Sequence, residues 1–257
     1  MALIKFEPPE RLIDKNGLRM DKRKFNDLRP VSFKLGILPN CDGSAYVEMG
    51  GNKIVVGVYG PRKVQPRHIA HPNEMVIRTL YRMATFSVDE RKSPAPSRRE
   101  VELSMVIRNA LIPSVFINYY PKTLIDVSIQ VLAADGGTRC ACINAASLAI
   151  ADAGIAQRDL VSAVAVGKIN GKIVLDLSDV EDKEGEADLP IAIMPQSNKI
   201  TLLQFDGKMT KDEFVEAMNL GLEGIKKIYK LQQEAIRAKF IEIPEKKEEQ
   251  PEIPGDD

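Results

Sequence analysis

In LAADGGTRCACINAASLAIADAG, residues 132–154, an apolar segment runs into Asp135-Gly136-Gly137-Thr138-Arg139, and an Ala-rich helical pattern follows at once. Two glycines allow a tight turn and let backbone N–H groups come close to a ligand. The start of the next helix adds unpaired N–H donors and a partial positive charge. With the Thr138 hydroxyl and the forked cation of Arg139, this makes an anion site about the size of one phosphate. That phosphate could be structural, a substrate or part of a nucleic acid, and other residues must decide.

Ser97-Arg98-Arg99-Glu100 opens a second helical pattern, just after Pro94 and Pro96. Two arginines at a helix start oppose the dipole. Either they form a solvated pair, with Arg99 bonded to a nearby acid, or they clamp phosphates, whose oxygens match guanidinium forks. Between Asp176 and Asp188 seven of thirteen residues are carboxylates. Such a run is ordinarily a solvated loop. However, Asp188 begins the apolar strand DLPIAIM, and Asp182 lies across Gly185 from it. If the loop folds back, the two can share Mg²⁺ or Mn²⁺ through oxygen ligands, or one can act as a general acid. Arg62 and Arg67 share a Pro-rich loop with His68 and His71, which lack a third ligand in any zinc pattern and are read as surface or RNA-facing residues. There is no GxSxG elbow and no GxxxxGK[ST] loop.

The elements that must carry these groups are legible as patterns. Alternating residues mark strands near Val31–Leu38, Ser44–Met49 and Lys53–Tyr59, joined by CDGS and GGN turns into an antiparallel meander. Residues 61–74 read as a loop, Met75–Phe86 as a strand, and Arg98–Asn118 as a helix with Val101, Met105, Ile107, Leu111 and Val115 on its apolar side. Tyr59, Tyr81, Phe86 and Phe116 are assigned to core packing by default, with stacking on a base as the alternative for one of them. The second half echoes the first. It has a strand at Leu124–Ala134, a helix at Cys140–Ala153 closed by Gly154, and a hairpin about Asn170-Gly171. Further strands follow at Asp188–Met194 and Ile200–Phe205. A helix opened by Thr210 and Glu213 as a capping box then runs to about Arg237. The fold class is α+β with internal duplication, sheets packed with helices rather than a doubly wound parallel sheet.

At 257 residues the chain can bury a substantial core, and 36 basic residues balance 36 acidic ones. Zero net charge gives no bulk signal for nucleic acid, but the charge is unevenly spread: Arg62–Arg108 holds ten Lys/Arg against five Asp/Glu, a local +5. The acidic tail, six carboxylates against two lysines from Glu245, is expected to be disordered. No apolar run spans a membrane and the N-terminus is no secretory signal. Three cysteines, with Cys140 and Cys142 on different helix faces, suit buried thiols in a reducing cytoplasm.

LRPVSFKLGILPNCDGSAYVEMGGNKIVVGVYGPR, ATFSVDERKSPAPSRRE, LAADGGTR and the aspartate pair ending GEAD, in this order, resemble the RNase PH family of phosphorolytic 3′→5′ exoribonucleases over about residues 10–240. The nearest resemblance is to the catalytic ring subunits of archaeal exosomes. It implies a duplicated βαβα-type fold like ribosomal S5 domain 2, with one domain at 1–154, a second at 155–240 and the tail at 241–257. It implies an alternating hexameric ring with a non-catalytic sister subunit, caps bearing S1 or KH domains, and single-stranded RNA as substrate, in the cytoplasm and away from membranes. By matching motif, Gly137, Thr138 and Arg139 correspond to the inorganic-phosphate site. Arg98 and Arg99 correspond to grips on the RNA 3′ end, and Arg62 and Arg67 to pore-loop contacts. Asp182 and Asp188 correspond to the catalytic acids and the Mg²⁺ or Mn²⁺ ligands. The family's D-G-R-K reads here Asp21-Lys22-Arg23-Lys24, with a lysine in place of the glycine, and Pro121-Lys122 stands where Pro-Arg is common. A non-catalytic RNA-binding ring subunit and a free-standing homohexameric enzyme trimming tRNA 3′ ends are the alternatives.

Overall fold

The structure is a computed structural model that describes residues 12–13 and 18–241. The expected disorder of the acidic tail concerns residues that, from 242 on, lie outside these. Strand-forming alternation and tight turns build a first five-stranded sheet. Its strands are β1 (Val31–Leu35), β2 (Gly43–Met49), β3 (Asn52–Lys63), β4 (Val76–Met83) and β5 (Thr123–Ala133). They lie in the order β1-β2-β3-β5-β4. The first three form the antiparallel meander, and β3 pairs antiparallel with β5. Helix α1 (Arg98–Leu111) then makes a crossover that leaves β4 parallel to β5, the one connection type that needs a long excursion.

The second half follows helix α2 (Thr138–Asp152). Strands β6 (Ser162–Ile169) and β7 (Lys172–Leu175) form the hairpin about Asn170-Gly171, both at positive φ as a two-residue turn of this kind requires. Short helix α3 (Asp179–Glu184) leads to β8 (Ala187–Met194), β9 (Lys199–Leu203) and β10 (Asp206–Gly207). Strand β8 pairs with β6 on one side and with β9 and β10 on the other, all antiparallel. Helix α4 (Lys211–Ile241) closes the chain across β6, β7 and β1. Each half thus supplies one five-stranded sheet and one long terminal helix, the echo visible in the sequence.

Helix α2 lies between the two sheets, against β2 and β3 on one side and β6 and β8 on the other. Cys140 through Ile150 are all buried. A helix with no polar face can sit only in a core, and its small alanines let two sheets approach it.

Three expectations need correction. Helix α1 ends at Leu111 rather than Asn118, because Pro113 cannot donate to the helical ladder; two short 3₁₀ turns follow. Its buried stripe is Leu103, Ile107, Ala110 and Leu111, whereas Val101 and Met105 are exposed. Positions 105 and 107 lie about 200° apart around a helix, so the expected list mixed two faces. Phe86 is not a core residue: it lies beyond the end of β4 and is 73% exposed. At the family's glycine position, Lys22 adopts a left-handed φ of 66° and its N–H donates to the Arg19 carbonyl at 2.9 Å, so the turn forms without glycine.

Candidate active site

Three helices cap their own first turns. Ser97 and Glu100 form a reciprocal box at α1, with Ser97 N–H donating to Glu100 at 2.8 Å and Glu100 N–H to Ser97 at 3.2 Å. At α3, Ser178 N–H donates to Glu181 at 2.8 Å. At α4, Thr210 N–H donates to Glu213 at 2.8 Å, and the Thr210 hydroxyl oxygen accepts from Glu213 N–H at 3.3 Å. Helix α2 is different. Its N-cap is Gly137, in the left-handed region at φ 64°, with no side-chain cap and no acid in the first turn. The positive end of a fifteen-residue helix is therefore left for something else. Gly136 is also left-handed, and a Cβ there would come within 2.4 Å of the Ser178 carbonyl carbon. Only glycine lets this turn lie against the segment that enters α3.

Thr138 and Arg139 occupy the first turn of α2. The Arg139 guanidinium donates to Gln204 through Nη1, while its Nε is buried and has no hydrogen-bond partner. Asp188 stands in β8 opposite Asp206 of β10, and its Oδ1 is likewise buried without a partner. Asp182 lies on α3, held by its N–H to the Ser178 carbonyl at 2.8 Å. The acidic run is thus partly helical rather than a loop, and this sets Asp182 close to Asp188. Burial and then the neighbouring Asp182 charge push the Asp188 carboxyl up to about 6, against the pull of Arg139 and Arg99. Burial also raises Asp182, again opposed by Arg99 and Arg139. Two acids and two cations from α1, α2, α3 and β8 therefore share one field.

Arg98 and Arg99 are both exposed on the first turn of α1. The nearby acid that might have paired with Arg99, Glu100, is instead engaged by Ser97, by the Met83 N–H at 2.9 Å and by Arg82 at 3.8 Å. Arg99 enters the field of the aspartates; Arg98 shares only its turn. Arg62 and Arg67 are elsewhere. Arg62 pairs in register with Leu124 at the start of β5, whose other end leads to the glycine turn, roughly 30 Å along the strand. It bonds Asp42 at 3.1 Å and lies over the Tyr59 ring at 5.2 Å. Arg67 is exposed on a 3₁₀ turn.

Sequence reasoning missed the supports. Buried Arg29, Asn52 and Asp176 form a network with the half-exposed Asp135 behind the glycine turn, and Arg19 forms a fully buried ion pair with Glu181 of α3. Tyr81 is 1% exposed as a core residue, but its hydroxyl has no hydrogen-bond partner and lies within reach of Thr138; burial holds the phenol far above its usual range.

Oxygen-only donors, one of them the buried and unpartnered Oδ1 of Asp188, suit a hard divalent cation, which binds the ionised carboxylate. Among the described residues no third His, Cys, Asp or Glu completes a cluster, so substrate oxygens and water would fill the remaining positions. No helix among them is long and apolar enough to cross a membrane.

Comparison with known proteins agrees with this architecture. The 3′ exoribonuclease family matches in both parts, domain 1 over residues 27–156 and domain 2 over residues 159–224. The exosome complex component Rrp41 of Thermococcus onnurineus is 56% identical over 235 residues, 91% of this chain and 94% of that one. Its counterpart in Nitrosopumilus maritimus is 50% identical over 230 residues, 90% and 94%. Among solved structures, rice Rrp46 is similar with a TM-score of 0.75 at 23% identity, covering 84% of this chain and 98% of that one. A chain of the Archaeoglobus fulgidus exosome with RNA bound to the active site reaches 0.73 at 22% identity, covering 88% and 94%. The two structures speak for the fold. The sequence matches show that this chain belongs to the RNase PH family of 3′ exoribonucleases.

Proposed function

We propose that this chain is the catalytic ring subunit of an archaeal exosome and shortens single-stranded RNA from its 3′ end by phosphorolysis. Relatives named as exosome components at 50–56% identity support the assembly. The chemistry rests on one observation: Asp182 and Asp188 are both buried beside Arg99 and Arg139, with the Asp182 charge raising the proton affinity of Asp188, at the only one of four helix starts that lacks a cap of its own among the described residues.

Both reactants are anions, and two unit charges 4 Å apart repel by about 4 kcal/mol at an effective dielectric near 20. The cradle answers one of them. Orthophosphate sits against the open N–H groups of α2, the Thr138 hydroxyl and Arg139, whose unpartnered Nε is already desolvated. Arg98 and Arg99 hold the last phosphates of the RNA. A phosphate oxygen attacks the phosphorus of the terminal linkage and the bond to the 3′-oxygen breaks. That oxygen takes a proton from Asp182, whose carboxyl burial favours in the protonated form. The products are a nucleoside 5′-diphosphate and an RNA one residue shorter. Asp188, with Asp182 beside it, would hold Mg²⁺ or Mn²⁺, which when bound disperses the negative charge of the transition state. Contacts to backbone phosphates make the reaction largely indifferent to base sequence. Arg62 and Arg67, far from the acids, serve the incoming strand. A non-catalytic sister of the same fold alternates with this chain in a hexamer, with S1- or KH-bearing caps, in the cytoplasm.

The test uses the chain assembled with its sister, single-stranded RNA, and phosphate or none. Nucleoside diphosphates should appear only with phosphate, and Asp182→Asn should bind RNA normally while losing roughly 100-fold or more in turnover. Monophosphates released without phosphate would overturn the reaction, and near-normal turnover of Asp182→Asn would overturn its role.

A further inference from the structure

Arg29 is 5% exposed and commits every N–H of its guanidinium inside the protein. Nε and Nη2 grip the two oxygens of Asp176 at 3.0 and 2.7 Å. Nη2 also reaches the Gly136 carbonyl at 3.2 Å, while Nη1 reaches the Asp135 carbonyl and, at 3.2 Å, the Asp135 carboxylate. Five donors meet five acceptors, so nothing is left over for a substrate. The acceptors belong to two segments forty residues apart in sequence: the turn that forms the cradle and the end of β7 that leads into α3 and Asp182.

One further bond joins the two segments, and others brace the turn. The Asp135 carboxylate accepts the Asp179 N–H of α3 at 3.2 Å and the Gly51 N–H at 3.1 Å. Asn52 closes the other side, accepting the Asp135 N–H at 2.8 Å and donating to the Gly136 carbonyl at 2.6 Å. Asp176 is buried with a left-handed φ of 59°, a conformation an aspartate keeps only when its surroundings hold it. Arg29 binds its carboxylate twice through the side chain and once through its own backbone N–H at 2.8 Å.

We propose that Arg29, acting with Asp176, is a positioning residue that fixes the phosphate cradle and the acid-bearing helix in one register, so that phosphate affinity depends on a cation that never meets phosphate. This rests on the functional reading above. It also explains why a second arginine stands so close to the cradle without an open donor: Gly137 lies where a Cβ would be 3.4 Å from Arg29 Nη2.

The experiment compares Arg29→Lys and Asp135→Asn with the unaltered protein, assembled and full length. It measures KM for phosphate, KM for RNA, and amide exchange across residues 136–139 and 178–182. A lysine can fill one direction of the five. Arg29→Lys should raise the phosphate KM about 10-fold or more and change the RNA KM less than about 2-fold, as misplacement behind a site does. Exchange should accelerate in both segments together and not in β2. Asp135→Asn, at a partly exposed carboxylate, should do the same to a smaller extent. A fall in Tm with unchanged phosphate KM, or faster exchange in one segment alone, would overturn the proposal. If Arg29→Lys does not fold, Asp135→Asn decides: an unchanged phosphate KM there overturns it. Should the unaltered protein show no phosphate-dependent turnover, the functional reading fails, and the paired exchange still decides the coupling.

Discussion

Asp188 titrates near 6 because it is buried and because Asp182 and Asp206 crowd it with like charge. A carboxyl whose folded pKa exceeds its ordinary 3.8 gives a folded state that binds more protons between those two values. Stability from this group therefore falls as pH rises through that window, and the full cost stands at pH 7. Asp188→Asn should accordingly raise Tm at pH 7, by roughly 2–4 °C, while activity is lost. The gain should vanish below pH 4. A lowered Tm at pH 7 would mean that the carboxylate is held by contacts rather than kept for a ligand. Arg139 offers the complementary case. Removing a charged hydrogen-bond donor with Arg139→Ala should raise the phosphate KM roughly 10- to 100-fold and leave RNA affinity little changed. A defect confined to RNA affinity would remove Arg139 from the cradle. These groups were visible in the sequence because glycines, an arginine and two aspartates sit at short, chemically suggestive spacings. Arg29 and Asp176 were not, since they are separated by 147 residues and neither has a local signature.

At the scale of elements, α3 is a six-residue helix too short to persist by itself, and Arg19 anchors it. Arg19 bonds Glu181 and the carbonyls of Leu175 and Asp176, with no exposed side-chain surface. Burial alone would push Glu181 up, but hydrogen bonds from Arg19 and Ser178 hold it below its ordinary 4.5. Its contribution is therefore fully present above pH 4.5 and is lost as pH falls through the lower, folded value. Glu181→Gln should cost about 3–5 kcal/mol at pH 7, because Arg19 is left buried without its partner. The difference from the unaltered chain should shrink below pH 4.5, as measured by denaturant unfolding. A pH-independent difference would contradict the ion pair. The capping box at Thr210 was read from sequence, and the same Ser-x-x-Glu spacing at Ser97 and Ser178 was open to the same reading. What could not be read there was the absence of such a cap at α2, which gains meaning only beside the other three. The face of α1 was misread because apolar residues occur on both its sides, and only the packing against β4 and α2 chooses between them.

For the whole molecule, the two sheets clasp α2 so that its buried length is core and its N-terminus is chemistry. The meander, the hairpin and the all-apolar helix were legible because their patterns are local. The parallel β4–β5 pair and the convergence of α1, α2, α3 and β8 were not, because they depend on chain segments far apart. That convergence is the account's central claim: one cradle presents free orthophosphate to an RNA 3′ end beside two fixed acids. The most direct measurement is turnover of single-stranded RNA in ¹⁸O-labelled phosphate, with mass analysis of the released nucleotides. The account predicts that the label enters the outer phosphate of nucleoside diphosphates and that Arg139→Ala lowers this incorporation at limiting phosphate. Label taken up from ¹⁸O-water into nucleoside monophosphates, with none from phosphate, would contradict it.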